Sequence, residues 1–109
     1  MKEARFFLLV RFWVAPQAKA RLMRWLEGGH VAEVLAQPGF LWCRRISIAE
    51  TDSSGWSAHA MIYGIDSREA YDSYAANTAL HEKFNREREP FAKQLRIERA
   101  AGEVDFALG

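Results

Sequence analysis

Apolar residues alternate along the start of the chain, and this alternation predicts a first β-strand over residues 5–14. The even positions from Phe6 to Val14 are all apolar, whereas the odd positions mix arginine with large apolar side chains. One side of such a strand would face a core and the other a partly buried surface. We therefore predict a central strand whose second face needs a cover.

A helical repeat follows this strand and is interrupted by two adjacent glycines. Pro16 suits a first helical turn, and apolar residues recur on one helical face before and after Gly28 and Gly29. Each glycine within a continuous helix would destabilise it by about 1 kcal/mol relative to alanine. We therefore predict a bent or two-piece helix that ends at Pro38–Gly39, with Gly28 or Gly29 left-handed at the end of the first piece.

Two strand-like runs, residues 40–51 and 56–65, flank a strong turn signal and predict a hairpin. Asp66 and Glu69 have the spacing of a capping box, which predicts a second helix that Pro90 ends. A last strand is expected over residues 94–100. We expect residues 104–106 to continue it after an interruption at residues 101–102.

The element order β-α-β-β-α-β predicts one ferredoxin-like domain over residues 1–109. This α+β sandwich has a four-stranded antiparallel sheet with two helices on one face. Large apolar side chains would then lie on the uncovered face, namely Phe7, Leu9, Trp13, Met61, Tyr63 and Ile65. Because monomers rarely expose such a patch, we expect a second copy to cover it in a homodimer.

The composition argues against several classes of function. Fifteen Lys and Arg residues against fourteen Asp and Glu residues leave a net charge of +1. We therefore expect neither nucleic acid nor a membrane as a partner. Cys43, the single cysteine, cannot form an internal disulfide, and no Cys and His cluster has zinc spacing. These features predict a cytoplasmic protein without a metal, whose first residues form a strand rather than a signal peptide.

Residues in both halves of the chain resemble the dimeric α/β-barrel superfamily, and within it the bacterial DUF4286 family of short uncharacterised domains. The resemblance covers nearly the whole chain and rests on Trp25, His30, Val31, Val34, Leu35, Ala36, Gly39, Phe40, Tyr63, Ser67, Tyr71, Tyr74, His81 and Phe84. It implies two sheets that meet as a dimeric barrel, with cavities between sheet and helices. It does not imply one established reaction.

The superfamily includes cofactor-free monooxygenases, muconolactone-type isomerases, haem-degrading enzymes and dye-decolourising peroxidases. The monooxygenase and haem-degrading groups arrange an asparagine, a tryptophan and an aromatic or histidine residue around the substrate. Here the asparagines are Asn77 and Asn85, late in the second predicted helix. This departure weakens the transfer of monooxygenase chemistry to this chain.

His30 is the first candidate catalytic residue, because it follows the predicted helix break. A side chain there can turn toward a cavity, and imidazole titrates near neutral pH, as a general base requires. In the alternative interpretation, a glycine ends the first helical piece and His30 only helps to start the second.

His59 and Tyr63 form a second candidate pair on one face of the third strand. They would point to the same side of the sheet and could clamp or deprotonate a phenol or an enol. Both could equally be partly buried residues whose polar ends reach water or a dimer partner.

Arg11, Trp13 and Arg44 are candidate substrate-binding residues on central strands. A charged side chain there needs pairing or hydration, so the arginines could hold a carboxylate. They could instead form ion pairs with Glu50 or Glu103 across a dimer.

Together these features predict a homodimeric protein that binds a small aromatic or acidic organic compound. Its chemistry, if any, would be that of a cofactor-free monooxygenase or isomerase, so we expect no cofactor. The alternative is a non-catalytic dimeric scaffold or accessory protein. A tightly filled interior around His30 and His59 would favour the scaffold, and an open pocket would favour the binding protein.

Overall fold

In the computed structural model, which describes residues 2–109, helices cover one face of a four-stranded antiparallel sheet. The strands are β1 (Phe6–Val14), β2 (Phe40–Thr51), β3 (Ser57–Ile65) and β4 (Leu95–Glu103). Their order across the sheet is β2-β3-β1-β4, so the first strand is central. This arrangement confirms the predicted α+β ferredoxin-like fold.

Four α-helices cover the sheet, in two pairs. Helix α1 (Pro16–Trp25) is joined to α2 (Val31–Leu35) by a π-helical turn, Leu26–His30. Helices α3 (Arg68–Ala75) and α4 (Thr78–Arg88) form the second pair, and a single 3-10 turn, Glu89–Phe91, follows. No helix in residues 2–109 is long and apolar enough to cross a membrane.

The helix-covered face of the sheet holds the core. The even residues of β1 point toward the helices, as the alternation predicted, and pack against Ala18, Leu22, Leu26, Val34, Phe84 and Phe91. In the antiparallel register, Leu8 pairs with Tyr63 and Val10 with Met61. Because directly paired residues share a face of the sheet, the odd residues of β3 also belong to this core.

The prediction that Met61, Tyr63 and Ile65 lie on the uncovered face is therefore wrong. All three are at most 5% exposed and belong to the core under the helices. The small even residues of β3 face the open side instead, where the indole of Trp42 covers Gly64. Small residues in this strand thus leave room for a tryptophan, not for a close helix.

The second helical region differs from its prediction at its start and its middle. Ser67, and not Asp66, is the N-cap, because its hydroxyl accepts a hydrogen bond from the Ala70 amide at 3.1 Å. The helix is also broken after residue 76, where Asn77 caps a new helix by accepting from the Leu80 amide. Short polar side chains compete for backbone amides in this way and start helices efficiently.

The last strand is longer and more regular than expected. It runs from Leu95 to Glu103 without an interruption at residues 101–102. Every residue from 95 to 103 pairs with β1. Residues 104–109 are outside any strand, so the predicted continuation over residues 104–106 is wrong.

Candidate functional site

A cavity of about 370 Å³ lies between the sheet and the helices. Its floor is formed by β1, β3 and β4, and its walls come from the helical segments. Aliphatic side chains and Met61 form nearly half of the lining, and the rest is aromatic or polar, namely Phe12, Trp25, His30, Tyr63, Tyr71, Tyr74, His81, Phe84, Asn85, Arg88 and Arg99. A concave, largely apolar site with a few polar groups has the character of a small-molecule pocket.

The π-helical turn positions His30 at this cavity. The Val31 amide donates to the Leu26 carbonyl, one residue further back than in an α-helix, and Gly29 departs from helical geometry with φ 158° and ψ −31°. The bend is therefore confirmed, but neither glycine has the left-handed helical conformation expected for it.

The imidazole of His30 is held between two aromatic rings. It stacks on Trp25 with ring centroids 4.0 Å apart and meets Phe84 edge-to-face at 4.4 Å. Its Nδ1 atom is buried and has no hydrogen-bond partner in residues 2–109. An unsatisfied buried nitrogen is costly, so this atom is an exception to the usual pairing of buried polar groups.

Burial lowers the pKa of His30 to about 4. The Arg88 guanidinium lowers it further, as does Lys83, whereas Glu87 and Glu33 oppose the shift. The imidazole is consequently neutral at neutral pH. In that state one ring nitrogen is a hydrogen-bond acceptor and the other a donor.

Tyr63 lies on the floor of the same cavity and is 3% exposed. Burial raises the pKa of its phenol far above the usual range, and the neighbouring Cys43 thiol adds to this shift. The phenol therefore stays protonated and can donate a hydrogen bond. His30 and Tyr63 are the two predicted catalytic residues that the fold brings to the cavity.

His59 lies elsewhere, although it shares a face of β3 with Tyr63. It is 4% exposed, stacks on Phe12 with centroids 5.1 Å apart, and its Nε2 atom is 3.0 Å from the Ser57 hydroxyl. It does not line the cavity. Its surroundings are those of a core histidine whose polar atom is satisfied locally.

The three predicted substrate-binding residues, Arg11, Trp13 and Arg44, lie on the opposite, open face. Arg11 forms an ion pair with Glu50 of the same chain. Trp13 is 6% exposed beneath the guanidinium groups of Arg11 and Arg96, which lie 4.8 and 4.1 Å from its ring centroid. The fold therefore separates these residues from the cavity.

Arg44 lies on the outer strand β2, on the same open face. It donates to the Cys43 carbonyl at 2.8 Å, and its guanidinium lies 5.6 Å from the Trp42 ring centroid. Its neighbour Arg45 points to the helix side and pairs with Glu27 at 2.7 Å. Glu103, the other carboxylate proposed as a partner, pairs with Arg68 at 3.3 Å.

Six polar residues that line the cavity were not predicted as site residues, namely Tyr71, Tyr74, His81, Asn85, Arg88 and Arg99. Tyr74 and His81 meet edge-to-face at 4.7 Å, and a ring nitrogen of His81 lies 2.8 Å from the Tyr74 carbonyl oxygen. Arg88 and Arg99 approach from α4 and β4. Arg88 lies in a run of alternating charges that is typical of a solvated helix face, so its position could not be read from that pattern.

A second recess of about 320 Å³ lies on the outer side of His30. It is polar, and its lysine is neutralised, because Lys83 contacts Glu33 at 2.6 Å and Glu87 at 3.2 Å. In the part of the chain that the structure describes, no group of three His, Cys, Asp or Glu side chains could hold a metal ion.

Solved structures share this fold at low sequence identity. A monooxygenase of Streptomyces coelicolor in complex with nanaomycin D has a TM-score of 0.64 at 19% identity, and the match covers 96% of this chain and 91% of that one. The haem degrader MhuD of Mycobacterium tuberculosis, with two haems bound in its active site, has a TM-score of 0.67 at 17% identity, covering 95% and 99%. A dimeric ferredoxin-like protein from an uncultured marine organism has a TM-score of 0.66 at 12% identity, covering 97% and 100%.

One family model matches most of this chain. No curated protein sequence is significantly similar to this chain. The model of a domain of unknown function, DUF4286, matches residues 6–97, from the start of β1 to the middle of β4. This match includes every helix and both predicted catalytic residues of the cavity. The chain therefore belongs to the DUF4286 family.

Proposed function

We propose that this protein binds a small, planar aromatic compound in the cavity between its sheet and its helices. The observation that carries the proposal is a cavity of about 370 Å³ lined by several aromatic rings and by His30, whose buried Nδ1 atom has no hydrogen-bond partner within residues 2–109. This volume lies in the range of small-ligand pockets, near its lower end. Aromatic walls favour a flat ring, which can stack on them or meet their edges.

The alternative, a scaffold without a ligand, has less support. A scaffold gains most from a core packed to native density, because unfilled volume loses dispersion contacts and destabilises the fold. Here the space lies beside His30, at the broken helix, where the chain also carries two glycines. An unfilled site with an unsatisfied polar atom is better explained by ligand binding than by association alone.

His30 accepts a hydrogen bond from the ligand in this proposal, and it does not remove a proton from a phenol. A phenol has an ordinary pKa near ~10, whereas burial lowers the pKa of His30 to about 4. Proton transfer between them would be uphill by roughly 8 kcal/mol. Tyr63 is correspondingly a neutral donor. Binding is therefore the core of the proposal, and cofactor-free oxygenase or isomerase chemistry would need a substrate much more acidic than a phenol.

The open face of the sheet fits a homodimer. Leu9 and Ile46 are 42% and 47% exposed there, beside the half-buried rings of Phe7 and Trp42. A second copy would remove this apolar surface from water and leave both cavities on the outer, helical sides. A single-domain, cytoplasmic homodimer with one ligand per chain is the complete proposal.

Native mass spectrometry of the freshly purified protein tests this proposal, because it reports stoichiometry and a retained small molecule together. Binding is then measured with N-phenyl-1-naphthylamine, an uncharged aromatic probe whose fluorescence rises in an apolar site. Ala75→Phe places a ring at the cavity lining, whereas Ala79→Phe adds the same ring outside it and is the matched control. We expect at least about tenfold weaker probe binding for Ala75→Phe only.

Equal probe affinity in the two variants would contradict the cavity as the binding site. A monomer at high protein concentration would contradict the homodimer. An unchanged far-UV circular dichroism spectrum and unfolding midpoint would confirm that Ala75→Phe acts at the cavity and not on the fold.

A further inference from the structure

Two guanidinium groups converge on the cavity from different elements of the fold. Arg88 is the last residue of α4, and Arg99 lies near the middle of β4. Arg99 pairs with Val10 in the sheet, so it shares the helix-covered face with the floor of the cavity. Both side chains line the cavity, with Tyr74 and Asn85 beside them.

Neither guanidinium is neutralised by a carboxylate within residues 2–109. Among the described residues, the Arg88 side chain donates one hydrogen bond, to the Asn85 amide oxygen at 2.5 Å, and the Arg99 side chain makes no hydrogen bond or ion pair. Water can solvate Arg99, which is exposed, but Arg88 is only partly accessible. A partly buried charge without a counter-ion is unusual, because burial of a charge is costly unless it is paired.

The electrostatics of the two groups agree with this geometry. Burial lowers the pKa of Arg88, the charge of Arg99 lowers it further, and Tyr74 and Glu87 oppose the shift only in part. Both arginines also lower the pKa of Tyr74, against the larger effect of burial, which raises it. The two guanidinium groups therefore repel each other at the cavity, and an anion bound between them would relieve that repulsion.

We propose that the ligand of this cavity is an aromatic anion, most simply a carboxylate, whose acidic group binds Arg88 and Arg99 while its ring lies against the aromatic walls. The inference rests on the proposed function and adds the class of ligand. Guanidinium groups suit this role, because their planar donor pairs match the two oxygens of a carboxylate.

Two fluorescent probes with closely related ring systems test the inference. 8-Anilinonaphthalene-1-sulfonate carries an anionic group, and N-phenyl-1-naphthylamine lacks it. Arg88→Gln and Arg99→Gln remove the charges one at a time. Arg86→Gln is the matched control, because Arg86 is exposed on the same helix and does not line the cavity. We expect each cavity variant to weaken sulfonate binding about tenfold or more and to change binding of the neutral probe less than about twofold.

Added salt provides a second measurement, since it should weaken sulfonate binding to the wild type more than binding of the neutral probe. If both probes are sensitive to Ala75→Phe but neither is sensitive to Arg88→Gln or Arg99→Gln, the inference is wrong and the proposed function stands. If neither probe is sensitive to Ala75→Phe, the proposed function fails. If the Arg88→Gln variant does not fold, the Arg99→Gln variant tests the inference alone, because the Arg99 side chain is exposed and its replacement should not disturb the fold.

Discussion

The two faces of the sheet both carry arginines beside aromatic rings, yet they use them differently. On the open face, Arg11 pairs with Glu50, and Arg96 pairs with Asp52 at 3.4 Å. On the helix-covered face, Arg88 and Arg99 adjoin the cavity without a carboxylate partner in the described part of the chain. The charge of a paired arginine is already neutralised, whereas a half-buried arginine without a carboxylate is the group that the proposed anionic ligand would pair with.

The two faces also differ in how their tryptophan rings are covered. Trp13 on the open face is already enclosed by its own chain, since two guanidinium groups cover its ring. Trp25 on the other side stacks on His30, has a tilted contact with Phe91 and adjoins the cavity. The first arrangement suits a broad contact with another protein surface, and the second suits a small molecule that completes the packing.

Adjacent leucines on β1 provide the strongest test of this difference. Leu8 is 3% exposed under the helices, and Leu9 is 42% exposed on the open face. We expect Leu8→Ala to lower the free energy of unfolding by about 2–4 kcal/mol, because it enlarges the cavity. Leu9→Ala should lower the stability of the single chain by less than about 1 kcal/mol.

Urea unfolding at several protein concentrations measures both variants. Leu9→Ala should act mainly through the dimer, so its effect should grow as the protein concentration rises. If both variants lose the same free energy of unfolding at every protein concentration, the two faces are equally covered within one chain.

The pH dependence of stability reports on His30. Its folded pKa of about 4 lies below the unfolded value of ~6.5, so the unfolded chain binds more protons between these values. Stability should therefore be fully present above pH ~6.5 and fall by roughly 2 kcal/mol toward pH ~4, after allowance for the partly exposed ring. His30→Gln should remove this part of the slope.

Urea midpoints at intervals from pH ~4 to ~8 give the measurement. Burial also lowers the pKa of His59, so a smaller slope of the same sign should persist in the His30→Gln variant. An unchanged slope in that variant would show that His30 is solvated in the folded state.

Two glycines flank Phe7 in the sheet, and the space around them shows how tightly the open face is packed. Gly64 and Gly102 both pair with Phe7, from opposite sides. A Cβ atom at Gly64 would lie 2.3 Å from Cε2 of Trp42, whereas nothing lies within 4 Å of one at Gly102. We expect Gly64→Ala to destabilise by about 1–2 kcal/mol through displacement of Trp42.

Gly102→Ala is the matched control for this substitution. It should be neutral or stabilise by a few tenths of a kcal/mol, because alanine restricts the unfolded chain. Thermal unfolding of the two variants compares them directly. If Gly64→Ala does not lower the unfolding temperature, then the Trp42 indole is not fixed against β3 and the open face can repack around an added methyl group.

The ion pair of Arg11 and Glu50 should have the smallest effect. Both side chains are about half exposed, at 42% and 51%, so water screens the pair. A double-mutant cycle with Arg11→Gln and Glu50→Gln should give a coupling energy below about 0.5 kcal/mol in the single chain. A much larger value in the dimer would indicate that a second copy buries the pair.

Much of the fold could be predicted because local signals agreed with one another. The alternation in β1, the turn at residues 52–55 and the helix break at the two glycines all appear in the structure. The errors in the second helical region fall where neighbouring polar residues can cap the same helix. Ser67 replaces Asp66 as a cap, and Asn77 interrupts the second helix, because neighbouring polar side chains can capture the same amides.

The candidate site was predictable only in part. His30 could be singled out because an irregular turn stands out in the sequence, and the fold places it at the cavity. The face of β3 could not be assigned, since both of its alternating sets include apolar residues and only the register with β1 distinguishes them. The functional roles assigned to His59, Arg11, Trp13 and Arg44 stay predictions, and none of these residues lines the cavity.

The sequence by itself determined the order of the elements, the central position of β1 and the place of the helix break, because these depend on spacing between near neighbours. Only the tertiary structure decided which residues meet at the cavity. Arg88 and Arg99 come from different elements, and a charged residue has the same local pattern whether it faces water or a ligand. Their shared lack of a carboxylate becomes visible only when the chain is folded.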